Sequence, residues 1–77
     1  MNSSTREIHL DVRGLPPPEP MEQVLDALAT LKPDQELRVA IDREPFPLYG
    51  ILAEKGFSYS TEMIAAHHFQ MRIWQVR

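Results

Sequence analysis

Apolar and polar residues alternate in two early segments of the chain. Ile8, Leu10 and Val12 interleave with Glu7, His9, Asp11 and Arg13, and Leu37, Val39 and Ile41 interleave with Glu36, Arg38 and Asp42. A period of two places each apolar set on one side of a pleated backbone, so both segments read as half-buried strands. Between them the period lengthens. Met21, Val24, Leu25, Leu28 and Leu31 recur at helical spacing, with Glu22, Gln23, Asp26 and Thr30 mostly on the opposite face. Lys32-Pro33-Asp34 is expected to end that helix and turn the chain. Leu48, Ile51, Leu52 and the stem of Lys55 predict a second helix, closed by Gly56. Phe57, Tyr59, Thr61 and Met63 read as a third strand and Ala65-Ala66-His67 as a turn. Phe69, Met71 and Ile73 then alternate with His68, Gln70, Arg72 and Trp74 in a fourth strand.

The resulting order is β-α-β-α-β-β. The strands alternate instead of running continuously apolar, which leaves one sheet face to solvent and the other to the helices. The prediction is an α+β fold, a two-layer α/β sandwich with a mixed four-stranded sheet and both helices on one face. Leu10, Val12, Val24, Leu28, Val39, Ile41, Leu52 and Ile73 are expected to share one core, with Met21, Met63 and Met71 as fillers.

Prolines punctuate both strand-to-helix junctions. Gly14 ends the first strand, and Leu15-Pro16-Pro17-Pro18-Glu19-Pro20 removes four backbone donors and fixes φ. Such a run is excluded from strand interiors but tolerated in the first turn of a helix, where Glu19 also complements the helix dipole. Asp42-Arg43-Glu44-Pro45-Phe46-Pro47 repeats the arrangement before the second helix.

Composition narrows the function classes. A chain of 77 residues is expected to form one domain over 7–77, after a polar N-terminal tail over residues 1–6 with no apolar stretch of a signal peptide. Eleven acidic against eight basic residues give a net charge of −3, interspersed and without a basic stripe, which disfavours nucleic acid as a partner. No apolar run is long enough for a membrane span. The chain has no cysteine, so disulfide support is unavailable, and a cytoplasmic location is the default expectation.

The run Leu10-Asp11-Val12-Arg13-Gly14-Leu15, followed by Pro16-Pro17-Pro18-Glu19-Pro20, resembles the motif of the TusA/SirA-like family. In that motif a strand leads into Gly-Leu-x-Cys-Pro-x-Pro and then a helix. The order of elements is similar over nearly the whole chain. Family members are small sulfur carriers whose cysteine occupies the first turn of the first helix, where the helix dipole stabilises a thiolate. Pro17 stands at the matching position here, so the resemblance implies the fold without the persulfide chemistry. The similarity is greatest to an uncharacterised, cysteine-lacking branch with a Gly-Leu-x-Pro-Pro-Glu-Pro run. The segment Asp42-Arg43-Glu44-Pro45-Phe46-Pro47-Leu48-Tyr49 is similar to that branch's second motif.

Two candidate surfaces follow. Arg13, Gly14, Leu15, Pro17 and Glu19 of the first junction, with Asp42, Arg43 and Glu44 of the second, are expected at the carboxyl ends of the strands. Ligands gather there in α/β sheets, and helix starts with nearby guanidinium groups suit small anions or an acidic partner surface. The bland alternative is that the prolines only rigidify the turn. The second candidate is His68, Arg72 and Trp74 on the open face of the last strand, read as a protein-contact surface. An edge tryptophan packed on its own chain is the bland alternative there. His9, His67 and His68 lack chelating spacing, so no metal or other cofactor is expected.

No nucleophile–base motif appears, and Asp11, Asp42 and His9 offer at most acid–base chemistry. The leading expectation is a non-catalytic binding or protein-interaction module. The alternatives are an accessory protein of sulfur or redox metabolism docking a TusA-type partner and, third, a small enzyme using Asp/His chemistry. One consequence is directly measurable. Incubation with a persulfidated donor should leave the intact mass unchanged, and a stable sulfur adduct would contradict the reading of Pro17.

Overall fold

The computed structural model describes residues 6–76. Residues 1–5 of the expected tail lie outside the described residues, and Arg6 is exposed. The elements are β1 (Glu7–Asp11), α1 (Glu19–Ala29), β2 (Glu36–Ile41), α2 (Phe46–Lys55), β3 (Phe57–Ala65) and β4 (His68–Gln75). This is the β-α-β-α-β-β order that the periodicities predict. The strands form one mixed sheet in the order β1-β2-β4-β3. β1 lies parallel to β2, whereas β4 runs antiparallel to both β2 and β3.

Register shows how one face becomes the core. Leu37, Val39 and Ile41 of β2 stand opposite Ile73, Met71 and Phe69 of β4. Val24 and Leu28 from α1, and Leu48 and Leu52 from α2, are buried in the same cluster as those β2 and β4 side chains. Both helices therefore cover the same side of the sheet. On the other side Arg38 faces Arg72 and Ala40 faces Gln70, and that surface is left to solvent.

Local chemistry sets the element ends. α1 has proline in its first turn, with Glu19 and Glu22 as acids near the positive end of the dipole. It stops at Ala29, earlier than the Lys32-Pro33-Asp34 turn that sequence suggested. The Thr30 amide donates to the Ala27 carbonyl and the Leu31 amide to Leu28, tightening the last turn. Leu31 nevertheless stays buried, just past the helix. α2 ends at Gly56, whose φ of 86° is the left-handed conformation that favours glycine. Val12 lies one residue beyond β1, but its amide still donates to Ala40 and its side chain is fully buried. The Pro17–Pro18 peptide bond is cis.

The expected core is found with three differences. Leu10 and Met21 pack against the core without being fully buried. Met63 is not a core filler: it is 66% exposed. It does stand on the helix side of β3, opposite Phe69, but β3 is the sheet margin and no helix covers that end of it. Leu28→Ala should cost about 2–5 kcal/mol, through lost transfer energy and a residual cavity. Against a net stability of about 4–11 kcal/mol for a domain of this size, urea denaturation should show a clearly lowered midpoint. An unchanged midpoint would remove Leu28 from the core.

Candidate functional site

β1 and β2 are parallel neighbours, so their carboxyl ends deliver both proline-rich loops to one end of the sheet. The two loops are tied together there. Gly14, with φ of 81°, donates its amide to Asp42 Oδ2 at 3.0 Å. A side chain with Cβ would strain that turn, and the Asp42 carboxylate satisfies a donor that the turn leaves free.

Between the two helix starts lies a cleft of about 390 Å3. Its walls are largely apolar: Leu15, Pro17, Pro18 and Met21 on one side, Pro45 and Leu48 on the other. Asp42, Arg43 and Glu44 supply its charged rim. Five of the eight candidate residues of the two junctions thus line one cleft, namely Leu15, Pro17, Asp42, Arg43 and Glu44. Gly14 adjoins through its bond to Asp42. Arg13 and Glu19 are not among the lining residues.

Arg13 is held elsewhere. Its Nε and Nη2 donate to the two carboxylate oxygens of Asp11 at 3.0 and 2.8 Å, and its own amide donates to Oδ1 at 3.1 Å. These bonds hold the Asp11 carboxyl down to about 2, the Arg13 side chain contributing most. Arg43 differs: among the described residues its side chain makes no hydrogen bond or ion pair. The two arginines, equivalent in the sequence pattern, are therefore not equivalent in space.

The helix starts present fewer free donors than the sequence suggests. In α1 the Glu19 amide donates to Pro16 and the Glu22 amide to Pro18, while Pro20 has none. In α2 the Phe46 amide donates to Glu44 and the Leu48 amide to Pro45, and Pro47 has none. The charged side chains at the cleft are those of Asp42, Arg43 and Glu44. Glu44 also reaches away from it. Tyr49 donates its hydroxyl to Glu44 Oε2 at 3.0 Å and accepts from the Thr61 hydroxyl at 2.8 Å. Burial, followed by the Glu44 contact, pushes the Tyr49 phenol up. Tyr49 stacks flat on Tyr59 at 4.5 Å. This link between the second loop, α2 and β3 had no signal in the sequence, because it joins residues from three elements. The contributions of Met21 and Pro45 were likewise unread, the first taken as core and the second as a helix starter.

On the open face an alternating network runs across three strands. Arg38 contacts Glu7 at 3.1 Å and Glu36 at 3.2 Å, and Arg72 contacts Glu36 at 2.7 Å. Arg38 and Arg72 stand directly opposite each other, and Glu36 between them offsets that repulsion. The Arg72 hydrogen bond is the largest cause of the lowered Glu36 pKa. Arg72 also lies 6.0 Å from the centre of the Trp74 ring. His68 is six residues from Trp74 on the same strand, roughly 20 Å at strand rise. The structure thus joins Arg72 to Trp74 and sets His68 apart, near Asp11, whose carboxylate it influences weakly. Among the described residues no cluster of three or more metal-ligating side chains forms, and no helix is long and apolar enough to cross a membrane.

These features define a small, cysteine-free α+β domain with a proline-walled cleft at the carboxyl ends of two parallel strands. Residues 9–75 match the model of a family described as an uncharacterized conserved protein, DUF2249, and the chain belongs to that family. No curated protein and no solved structure matches the chain.

The Asp11–Arg13 fork has a measurable sign. A carboxylate whose native pKa is depressed stabilises the fold above its unfolded value, about 3.9, and that contribution fades as pH falls towards 2. A carboxyl-carbon NMR titration should give Asp11 a midpoint near 2, returning towards the ordinary range in Arg13→Ala. An Asp11 midpoint that the substitution leaves unmoved would dissolve the fork.

Proposed function

We propose that this chain is a non-catalytic binding or protein-interaction module whose site is the proline-walled cleft. The ligand is an apolar group carrying a carboxylate or similar anion, either a small molecule or an acidic side chain of a protein partner. The observation that carries this reading is Arg43, a guanidinium with no partner among the described residues, at the rim of an apolar cleft. Buried or half-buried ligands favour apolar walls with a few polar groups that fix orientation, and guanidinium suits a carboxylate bidentately. Prolines keep such walls rigid, which lowers the entropic cost of binding. A non-catalytic role fits the engagement of both rim acids, since Asp42 accepts from Gly14 and Glu44 from Tyr49.

The resemblance to TusA/SirA-like carriers supports the same location. Pro17, at the position of the carrier cysteine, is exposed and lines the cleft. A second reading rests on that placement: an accessory protein of sulfur or redox metabolism that docks a TusA-type partner through this end of the sheet.

An amide chemical-shift titration with hexanoate, hexanol and sulfate separates the contributions. Hexanoate should shift Leu15, Met21, Arg43 and Glu44 most, more strongly than either hexanol or sulfate, and less as salt rises. Arg43→Ala should weaken hexanoate to the level of hexanol, whereas Arg13→Ala should leave it unchanged. Shifts centred on Arg72 and Trp74, or indifference to Arg43→Ala, would overturn the site.

A further inference from the structure

The two margins of the sheet are built differently. The order β1-β2-β4-β3 makes β1 and β3 the edge strands. An edge presents unpaired backbone groups, and monomeric proteins blunt it with charge, proline, a bulge or a short strand. β1 does so: it has five residues, of which Glu7, His9 and Asp11 are polar and exposed. β3 is blunted only near its end, by an irregular pairing between Met63 and Ala65. Its nine residues, Phe57–Ala65, include no proline, lysine or arginine and only one acid, Glu62. The same margin exposes large apolar side chains: Tyr59 at 37%, Ile64 at 51% and Met63 at 66%. Phe46, at the start of the helix packed on β3, is also 66% exposed and meets Tyr49 edge-on.

We infer that β3 is a self-association edge, pairing antiparallel with β3 of a second copy of this chain about a twofold axis at Thr61. Two four-stranded sheets then become one of eight strands. The register follows from length and charge. An axis at Thr61 overlaps the whole of β3, placing Tyr59 of one copy opposite Met63 of the other, and Ser60 opposite Glu62. Tyrosine against methionine is a favourable aromatic–sulfur pair. An axis at Glu62 sets two carboxylates face to face, which is destabilising. An axis at Ser60 leaves Ile64 and Ala65 without partners. The irregular pairing between Met63 and Ala65 falls at the ends of the overlap, leaving residues 59–63 regular. A twofold axis makes the surface complementary to itself, so association closes at the dimer.

Sedimentation velocity on the full chain, from low micromolar to millimolar concentration, tests the inference. The mass should rise from 8.9 kDa to twice that value. Met63→Lys and Ile64→Lys alter exposed positions and should each weaken the dimer by roughly tenfold or more, while His9→Lys on β1 should leave it intact. The absence of native cysteine permits a register test. An equimolar mixture of Ser60→Cys and Glu62→Cys chains should form mixed disulfide dimers on mild oxidation faster than either variant alone. A monomer at every concentration, growth past the dimer, sensitivity to His9→Lys instead of the β3 variants, or no preference for the mixed cross-link would overturn the proposal.

Discussion

Two neighbouring parallel strands must both hand the chain to helices on the same face at the same end, and the rest of the molecule is arranged around that constraint. β1 and β2 are the pair concerned, and both exits crowd a width of one strand spacing, about 4.8 Å. Two helices of ordinary diameter, about 10 Å, cannot start side by side within it. The loops therefore splay apart, and the space left between them is the cleft. Prolines suit this geometry because they fix φ and present no amide that needs a partner in a crowded turn. The Gly14–Asp42 bond draws the two loops back together at their base, where splaying would otherwise open the core over Val12 and Ile41.

Much of this fold is readable from the chain. Leu37, Val39 and Ile41 alternate cleanly because β2 is flanked on both sides and covered on one face only, so burial follows the pleat without interruption. The helices are legible for the same reason, since Val24 and Leu28 stay a turn apart over a single core. Met63 shows where the pattern stops informing. Alternation says which side of the sheet a residue occupies, but not whether a helix extends over it. Leu31 shows the converse, a residue that keeps its place in the core after the helix carrying it has ended.

The candidate site divides in the same way. That two loops would meet was implied by the parallel order, and Leu15, Pro17, Asp42, Arg43 and Glu44 do share one cleft. The difference between Arg13 and Arg43 was not legible. Arg13 folds back on Asp11 two residues earlier, on the open side of the sheet, while Arg43 is flanked by Asp42 and Glu44, which already have partners of their own. Pairing depends on which carboxylates are already engaged: Asp11 is held by Arg13 itself, whereas Asp42 and Glu44 are held by Gly14 and Tyr49.

The open face has a consequence for how this molecule can be watched. Its single tryptophan, Trp74, is about one-third exposed and lies beside Arg72, on the far side of the sheet from the core. Intrinsic emission therefore reports on the polarity of the open face and its charge network, not on the packing between helices and sheet. The stacked Tyr49 and Tyr59 rings are the complementary chromophores, placed where α2 meets β3. The two aromatic signals view opposite faces of one small sheet.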